Sequence, residues 1–315
     1  MTASRAEPAS TSAGSGPALT AGIACYLIWG FVPLVFQAIG HMGVGAWEIL
    51  AHRILWSIPT AIVIVLLAKQ GGQVMAVLKN PKTLAWLFLS SLLIATNWVV
   101  FIWAVTSDRL LESSLGYYIN PLVVMAAGAL IFREHIDRIG RFAIGLALVG
   151  VVIQAFALGH LPWVSLVLAF SFGGYGVVRK QVAADAQTGF LVETLLVGVV
   201  AVGYLAWLAG QGGSHFGDPV AAAWLIACGP ITAIPLVLFS WAARRIPLSM
   251  MGFLQFIAPT ISFFIGLLQG EAFTPVRALS FAFIWAGAAV FLYGAWRRSR
   301  AVIRATREVA EAAAE

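Results

Sequence analysis

Three ionisable side chains lie close together in one strongly apolar stretch of the chain. Glu48 and His52 are four residues apart and share a helical face, and Arg53 follows about 100° further round. Ionisable groups in apolar surroundings are costly unless they face protein or water and have a partner. We therefore predict that these residues bind a substrate, with Arg53 holding an anionic group. The alternative is that Glu48 lies at a membrane interface and Arg53 has a structural role.

A second buried acid is expected at Glu193, near one end of a later apolar stretch. Glu193 is the candidate counter-charge for Arg53, either directly or through a water molecule or the substrate. Carboxyl and imidazole groups in apolar surroundings can titrate near neutral pH. Glu193 and His52 are therefore the proton-coupling candidates of this chain.

Two prolines at equivalent positions predict broken helices. Pro121 and Pro259 each remove the backbone hydrogen bond to the carbonyl four residues earlier, at Tyr117 and Gln255. Each site thus combines a freed backbone acceptor with a polar side chain, and Asn120 lies beside the first. This pairing is typical of substrate contacts at discontinuous membrane helices, so we place Tyr117, Asn120 and Gln255 in the binding site.

Two further polar or flexible positions are weaker candidates. Asn97 offers an amide for substrate binding, and Pro33 follows Trp29 and Gly30 in a stretch that can kink. For Asn97 the alternative is a hydrogen bond between helices. For Trp29 it is packing or anchoring at the membrane interface.

The composition requires that these residues be held by membrane-spanning helices. Hydrophobic residues make up 61% of the 315 residues and charged residues only 10%, which is far from the average of soluble proteins. Ten apolar runs of the length needed to cross a bilayer predict an all-α integral membrane protein. These runs are 18–40, 45–68, 84–106, 112–132, 139–158, 162–182, 190–209, 221–242, 248–269 and 275–296.

Basic residues indicate the orientation of these helices. Counting loops and tails, 16 of the 19 lysines and arginines fall on one side, which the positive-inside rule assigns to the cytoplasm. Both termini are therefore predicted to be cytoplasmic. In this count Arg179 and Lys180 belong to a cytoplasmic loop. The net charge of +6 is thus explained by topology, and the short loops supply no basic face for nucleic acid.

An internal repeat divides the predicted helices into two groups of five. Shifting the chain by 138 residues aligns 84–131 with 222–269, with 13 identities in 48 positions and no gap. Because five is odd, the copies must enter the membrane from opposite sides, so the repeat is inverted. We predict a disordered N-tail at 1–17, repeats at 18–160 and 161–298, and a C-tail at 299–315. Such duplicated units are typical of transporters whose site lies between the copies.

Enzyme signatures are missing from the sequence. The histidines lack metal-ligand spacing, no phosphate-binding glycine loop is present, and no catalytic triad can be assembled. We predict a protein that is not an enzyme and that uses no cofactor or metal. The rival hypotheses are a membrane enzyme on lipid-linked substrates with His52 as base, and a sensor without solute flux.

Five motifs contain most of the candidate residues. They are Glu48-Ile-Leu-Ala-His-Arg-Ile-Leu-Trp-Ser57, Asn97-Trp-Val-Val-Phe-Ile-Trp-Ala-Val105, Glu112-Ser-Ser-Leu-Gly-Tyr-Tyr-Ile-Asn-Pro-Leu122, Gln187-Thr-Gly-Phe-Leu-Val-Glu-Thr194 and Gln255-Phe-Ile-Ala-Pro-Thr260. Together they resemble the RarD proteins of the EamA-type drug/metabolite transporter superfamily, over about residues 21–298. The resemblance implies a bacterial inner-membrane carrier with two five-helix repeats around a central cavity, and it supports placing the candidate residues there. This chain has Phe256 and Ala258 where the family more often shows Tyr and Gly.

Together these features predict a secondary transporter that exports small polar or amphipathic metabolites or drugs. Transport would proceed by alternating access as one repeat rocks against the other, with proton coupling left open. The expected partners are a small-molecule substrate and the lipid bilayer. Small residues on several helices are also compatible with a homodimer.

Overall fold

The computed structural model describes residues 15–106, 110–158, 163–268 and 274–312. All regular secondary structure in these ranges is helical. The helices are α1 (Ser15–Gly40), α2 (Ala46–Leu67), α3 (Gly71–Leu78), α4 (Pro81–Thr106), α5 (Leu110–Leu130), α6 (Arg138–Leu158), α7 (Trp163–Gln181), α8 (Ala186–Gly210), α9 (Pro219–Ala243), α10 (Leu248–Gln255), α11 (Ile257–Leu268) and α12 (Pro275–Ala312).

The helices coincide with the predicted apolar runs. Six of them, α1, α2, α4, α6, α8 and α9, contain stretches long and apolar enough to cross a membrane. Shorter apolar stretches lie at Leu115–Leu130, Leu248–Ile261 and Ala278–Gly294. The predicted all-α class therefore holds for the described residues.

Three element boundaries differ from the sequence prediction. Helix α1 begins at Ser15, inside the predicted N-tail, because Pro17 in a first turn has no intrahelical bond to lose. A short helix, α3, occupies a predicted loop. Helix α12 continues through the predicted C-tail to Ala312, because the residues beyond the apolar run are good helix formers.

One compact unit, here the first unit, comprises Met1–Leu92 and Gly176–Pro247. In it α2 packs on α8 and α9, α1 packs on α9, and α3 packs on α8. Helix α9 lies against α2 at Gly229, where any Cβ atom would clash with the backbone of Trp56. Glycine is therefore required at this crossing.

The second unit comprises Leu93–Tyr175 and Leu248–Glu315. In it α6 packs on α12, and α5 packs on α6 and α10. Aromatic contacts fill the interior, with Phe253 and Phe291 stacked at 3.6 Å between centroids and Tyr118 edge-on to Phe281 at 5.2 Å. Like the first unit, the second takes helices from both predicted repeats.

Candidate functional site

The predicted binding residues of α2 point into the interior of the first unit. Glu48 and His52 are buried and Arg53 is half-buried. The Arg53 Nε donates a hydrogen bond to the Thr232 hydroxyl of α9 at 2.9 Å. The guanidinium carbon lies 5.3 Å from the centre of the Phe36 ring of α1, within the range of a cation–π interaction. Helices α1, α2 and α9 thus fix the position of Arg53.

The carboxylate of Glu48 is held by the loop between α8 and α9. One oxygen accepts from the backbone N–H of His215 at 2.7 Å and from the Ser214 hydroxyl at 3.2 Å. The other lies 2.8 Å from Nδ1 of His215. His52 is further away, with Nε2 at 4.0 Å from Glu48. Glu48 therefore fastens residues 214 and 215 to the start of α2.

The same loop places an aromatic ring against α2. Phe216 stacks on His52, with centroids 4.9 Å apart and planes 14° from parallel, and on Trp56, at 6.0 Å and 22°. His52 and Trp56 are four residues apart and so form one flat surface on the helix. Both ring nitrogens of His52 and Nε1 of Trp56 are buried without a hydrogen-bond partner. This surface offers stacking and unused polar groups together.

Glu193 lies on α8 in a different environment of the first unit. Its carboxylate accepts a short hydrogen bond from the Ser90 hydroxyl of α4 and lies 3.5 Å from Nη1 of Arg179. Arg179 is fully buried at the end of α7. The prediction that Arg179 lies in a loop is wrong, because its helix continues to Gln181 and carries the guanidinium inside.

Arg179 also bonds to groups beyond Glu193. Its Nε donates to the Ser240 hydroxyl of α9 at 3.2 Å, and Nη2 donates to the carbonyl oxygens of Ala186 and Asp185 at 3.0 and 3.4 Å. These contacts satisfy the fork of donors that a guanidinium presents. Arg179 thus ties the ends of α7 and α9 to the start of α8.

A second ion pair lies next to this network, outside the apolar helices. Nη2 of Arg244 is 3.7 Å from Asp185, and the side-chain amides of Gln70 and Gln73 donate to the same acid at 3.0 and 3.2 Å. Partial burial lowers the pKa of Arg244, with Asp185 opposing the shift and the neighbouring arginines adding to it. The guanidinium nevertheless stays charged near neutral pH.

The remaining polar candidates belong to the second unit. Asn97 on α4 donates from Nδ2 to the Leu168 carbonyl at 2.9 Å and to the Ser171 hydroxyl at 3.1 Å. Asn120 and Gln255 are buried, and their side-chain oxygens Oδ1 and Oε1 lack a hydrogen-bond partner. Tyr117 is more exposed, at 38%, and meets Phe101 edge-on at 5.7 Å.

The three prolines differ in their effect on the helices. Pro33 and Pro121 lie within continuous helices, α1 and α5. Before Pro259 the chain leaves helical geometry at Phe256, between α10 and α11. Glu134 caps α10 from outside, since its carboxylate accepts from the backbone N–H of Leu248 at 2.7 Å and of Ser249 at 2.9 Å.

The structure thus brings Glu48, His52 and Arg53 together on α2 and places Glu193 with Arg179. Sequence reasoning missed Arg179, Phe216 and the contact of His215 with Glu48. A signal for Arg179 was present, because it falls inside the predicted run 162–182. Loop residues such as Phe216 carried no comparable signal, since their contacts depend on the tertiary fold.

Comparison with known proteins agrees with a transporter of this architecture. The EamA-like transporter family matches residues 16–156. Protein RarD of Salmonella typhi is 42% identical over 276 residues, covering 87% of this chain and 93% of that protein. An uncharacterized transporter of Vibrio cholerae is 39% identical over 289 residues, covering 90% and 94%. A crystal structure with 18% identity aligns at a TM-score of 0.67, covering 88% of this chain and 98% of that one.

The helical fold and these relatives define a multi-pass membrane transporter that acts on a small molecule. The chain belongs to the EamA-like transporter family and, within it, to the RarD-type permeases. The resemblance predicted from the sequence motifs is therefore confirmed.

Proposed function

We propose that the protein is a secondary exporter of small polar or amphipathic metabolites or drugs, working by alternating access. It would consist of ten membrane helices arranged as two inverted repeats of five, in a bacterial inner membrane with both termini cytoplasmic. The relatives support transport itself, and the positive-inside distribution supports the orientation.

A pair of exchanged contacts supports the repeat. A Cβ atom at Gly150 of α6 would lie 2.6 Å from the Ser280 carbonyl of α12, and one at Gly287 of α12 would lie 2.7 Å from the Ala143 carbonyl of α6. Gly287 lies 137 positions after Gly150, and Ser280 lies 137 positions after Ala143, so the two contacts are related by the same shift along the chain. Two copies of one unit facing each other through a twofold axis would produce this exchange.

The observation that carries the proposal is the set of buried polar atoms without partners. Among the described residues, these atoms belong to Tyr26, His52, Trp56, Asn120 and Gln255. Buried polar atoms are normally paired, because leaving one unpaired costs free energy. Three of these residues, His52, Asn120 and Gln255, were chosen from the sequence as substrate contacts. A polar ligand group or a water molecule at His52 in the first unit, and separately at Asn120 and Gln255 in the second, would complete the hydrogen bonding of these side chains.

Arg53 would bind an anionic group of that substrate. Its position is fixed by Thr232 and Phe36, so it would meet a ligand without much loss of side-chain entropy.

For proton coupling we favour His52 over Glu193. Glu193 already has a cationic partner, since Nη1 of Arg179 lies 3.5 Å from its carboxylate. Both nitrogens of His52 lack partners, so a proton on His52 can depend on which substrate or water molecule is bound.

The test is an untargeted comparison of metabolites inside and outside cells that express wild type or Arg53→Ala at equal membrane levels. We expect a few anionic compounds to be enriched outside only with wild type, and their efflux rate to fall at least about ten-fold in the variant, the equivalent of one charged hydrogen bond. Arg245→Ala removes an exposed arginine of the same unit and should leave efflux unchanged. Equal efflux in all three strains would contradict the role of Arg53, and efflux with wild type no higher than in cells without the protein would contradict export.

A further inference from the structure

The loop between α8 and α9 packs over the polar face of α2. Its contacts with α2 come from three consecutive residues, Ser214, His215 and Phe216. Phe216 is 37% exposed and the His215 side chain 40% exposed, whereas Glu48 and His52 beneath them are 2% and 4% exposed. A partly exposed loop segment thus covers a buried polar surface.

Phe216 can stack on the rings of His52 and Trp56, but it cannot form hydrogen bonds with them. The phenyl group of Phe216 stacks on His52 and Trp56, but it has no atom that can pair with their three buried nitrogens. A flat ligand ring could take the place of Phe216 against the two rings, and an acceptor on a substituent that reaches past the edge of the indole could bond to its N–H. Such a ligand would therefore make a hydrogen bond at this surface that Phe216 cannot make.

Glu48, which holds residues 214 and 215, has a second side chain near enough to replace them as its partner. Among the described residues, Ser214 and His215 lie at hydrogen-bond distance from Glu48. A buried carboxylate that loses its partners is strongly disfavoured. His52 offers a replacement, since its Nε2 is already 4.0 Å from the same carboxylate and a small side-chain rotation would bring it into bonding distance. Glu48 can therefore exchange loop partners for a helix partner.

We propose that residues 214–216 are a displaceable lid, anchored by Glu48, and that Phe216 occupies a binding site for an aromatic ring bearing an anionic or other acceptor group. This inference deepens the proposed function and rests on it for the direction of transport. On the proposed topology the lid lies on the outer side, where its opening would release an exported substrate. Arg53, adjacent to His52 in the helix, would hold the anionic group.

The test follows the environment of residue 216 directly, by 19F NMR of the purified full-length protein in lipid nanodiscs with 4-fluorophenylalanine at that position. In the closed state the resonance should be displaced by the ring current of Trp56, and Trp56→Ala should remove that displacement. Adding benzoate should move the resonance saturably, whereas cyclohexanecarboxylate, which has the same acid group but no flat ring, should not. The same label at Phe88, an exposed residue of the same unit, controls for partitioning into lipid.

Trp56→Phe refines the test because it keeps a ring and removes the N–H. The closed-state displacement should be partly retained while the apparent affinity for benzoate falls about five-fold, as expected for one lost hydrogen bond. An unchanged resonance in Trp56→Ala would overturn the lid, and an equal response to both acids, or to neither, would overturn the ring site. These NMR measurements do not depend on transport. The lid can therefore be disproved while Arg53-dependent export is confirmed, and the lid can be confirmed while export is disproved.

Discussion

Two carboxylates in the first unit, Glu48 and Glu193, are equally hidden, each 2% exposed, but they are held in different ways. The partners of Glu193 lie on packed helices, Ser90 on α4 and the fully buried Arg179 on α7. The partners of Glu48 lie on a loop whose side chains reach solvent. Burial alone therefore does not tell which acid is structural and which is available for a change of partner.

The polar groups near Glu193 have hydrogen-bond partners, whereas some of those near Glu48 do not. Around Arg179 all three guanidinium nitrogens donate hydrogen bonds, to Ser240, Glu193 and two carbonyl oxygens. Around Glu48 the next side chains along α2, His52 and Trp56, keep unpaired nitrogens. A satisfied network stabilises one arrangement, whereas unsatisfied groups favour a ligand that completes them. We therefore regard the Arg179 network as structural, here called the fixed joint, and the α2 surface as the proposed binding site.

The largest effect expected from this comparison is on folding. Arg179→Met leaves Glu193 as an uncompensated buried charge and should lower the free energy of unfolding by about 3–5 kcal/mol. We would measure this in mixed micelles by titration with dodecyl sulfate, after checking that the variant is inserted in the membrane.

The double variant Arg179→Met/Glu193→Leu is the matched control. Replacing both members of a buried pair with apolar residues removes the unpaired charge, so the double variant should be more stable than Arg179→Met. Equal losses in the two variants would contradict the ion pair as the source of the effect.

A smaller effect should follow from disturbing the packing that positions α2. Gly229→Ala places a methyl group against the backbone of Trp56 and should cost about 1–3 kcal/mol of stability, as overpacking usually does. Because Trp56 forms half of the stacking surface, efflux should fall as well. Gly203→Ala is the control in a neighbouring helix, since a Cβ atom there meets nothing within 4 Å. Loss of stability in both variants would indicate a general intolerance of alanine instead of this contact.

The sequence predicted the helical elements far better than the contacts between them. Apolar runs of membrane length locate helices because hydropathy acts along the chain. The pairing of Glu193 with Arg179 depends on how α7 and α8 pack, and a basic residue at the end of an apolar run resembles a loop residue. The polar residues of α2 could be predicted as a site from their cost in apolar surroundings. Their cover, Phe216, could not be predicted, because nothing in a short loop indicates which helix it will contact.

The smallest effect on stability is expected at the α2 surface itself, and it separates a binding role from a structural one. His52→Phe removes two buried nitrogens that have no hydrogen-bond partner and keeps a ring to stack on Phe216. Replacing an unsatisfied polar group with an apolar group of similar shape costs little or is stabilising, so the free energy of unfolding should change by less than about 1 kcal/mol. If His52 binds substrate or carries a proton, efflux should nevertheless fall several-fold, or lose its dependence on pH. Asn97→Leu provides the contrast, because it removes two formed hydrogen bonds and should lower stability by about 1–2 kcal/mol. A His52→Phe protein that unfolds as readily as Asn97→Leu would mean that His52 has a stabilising role, and the division between a fixed joint and an open surface would then fail at the residue on which it most depends.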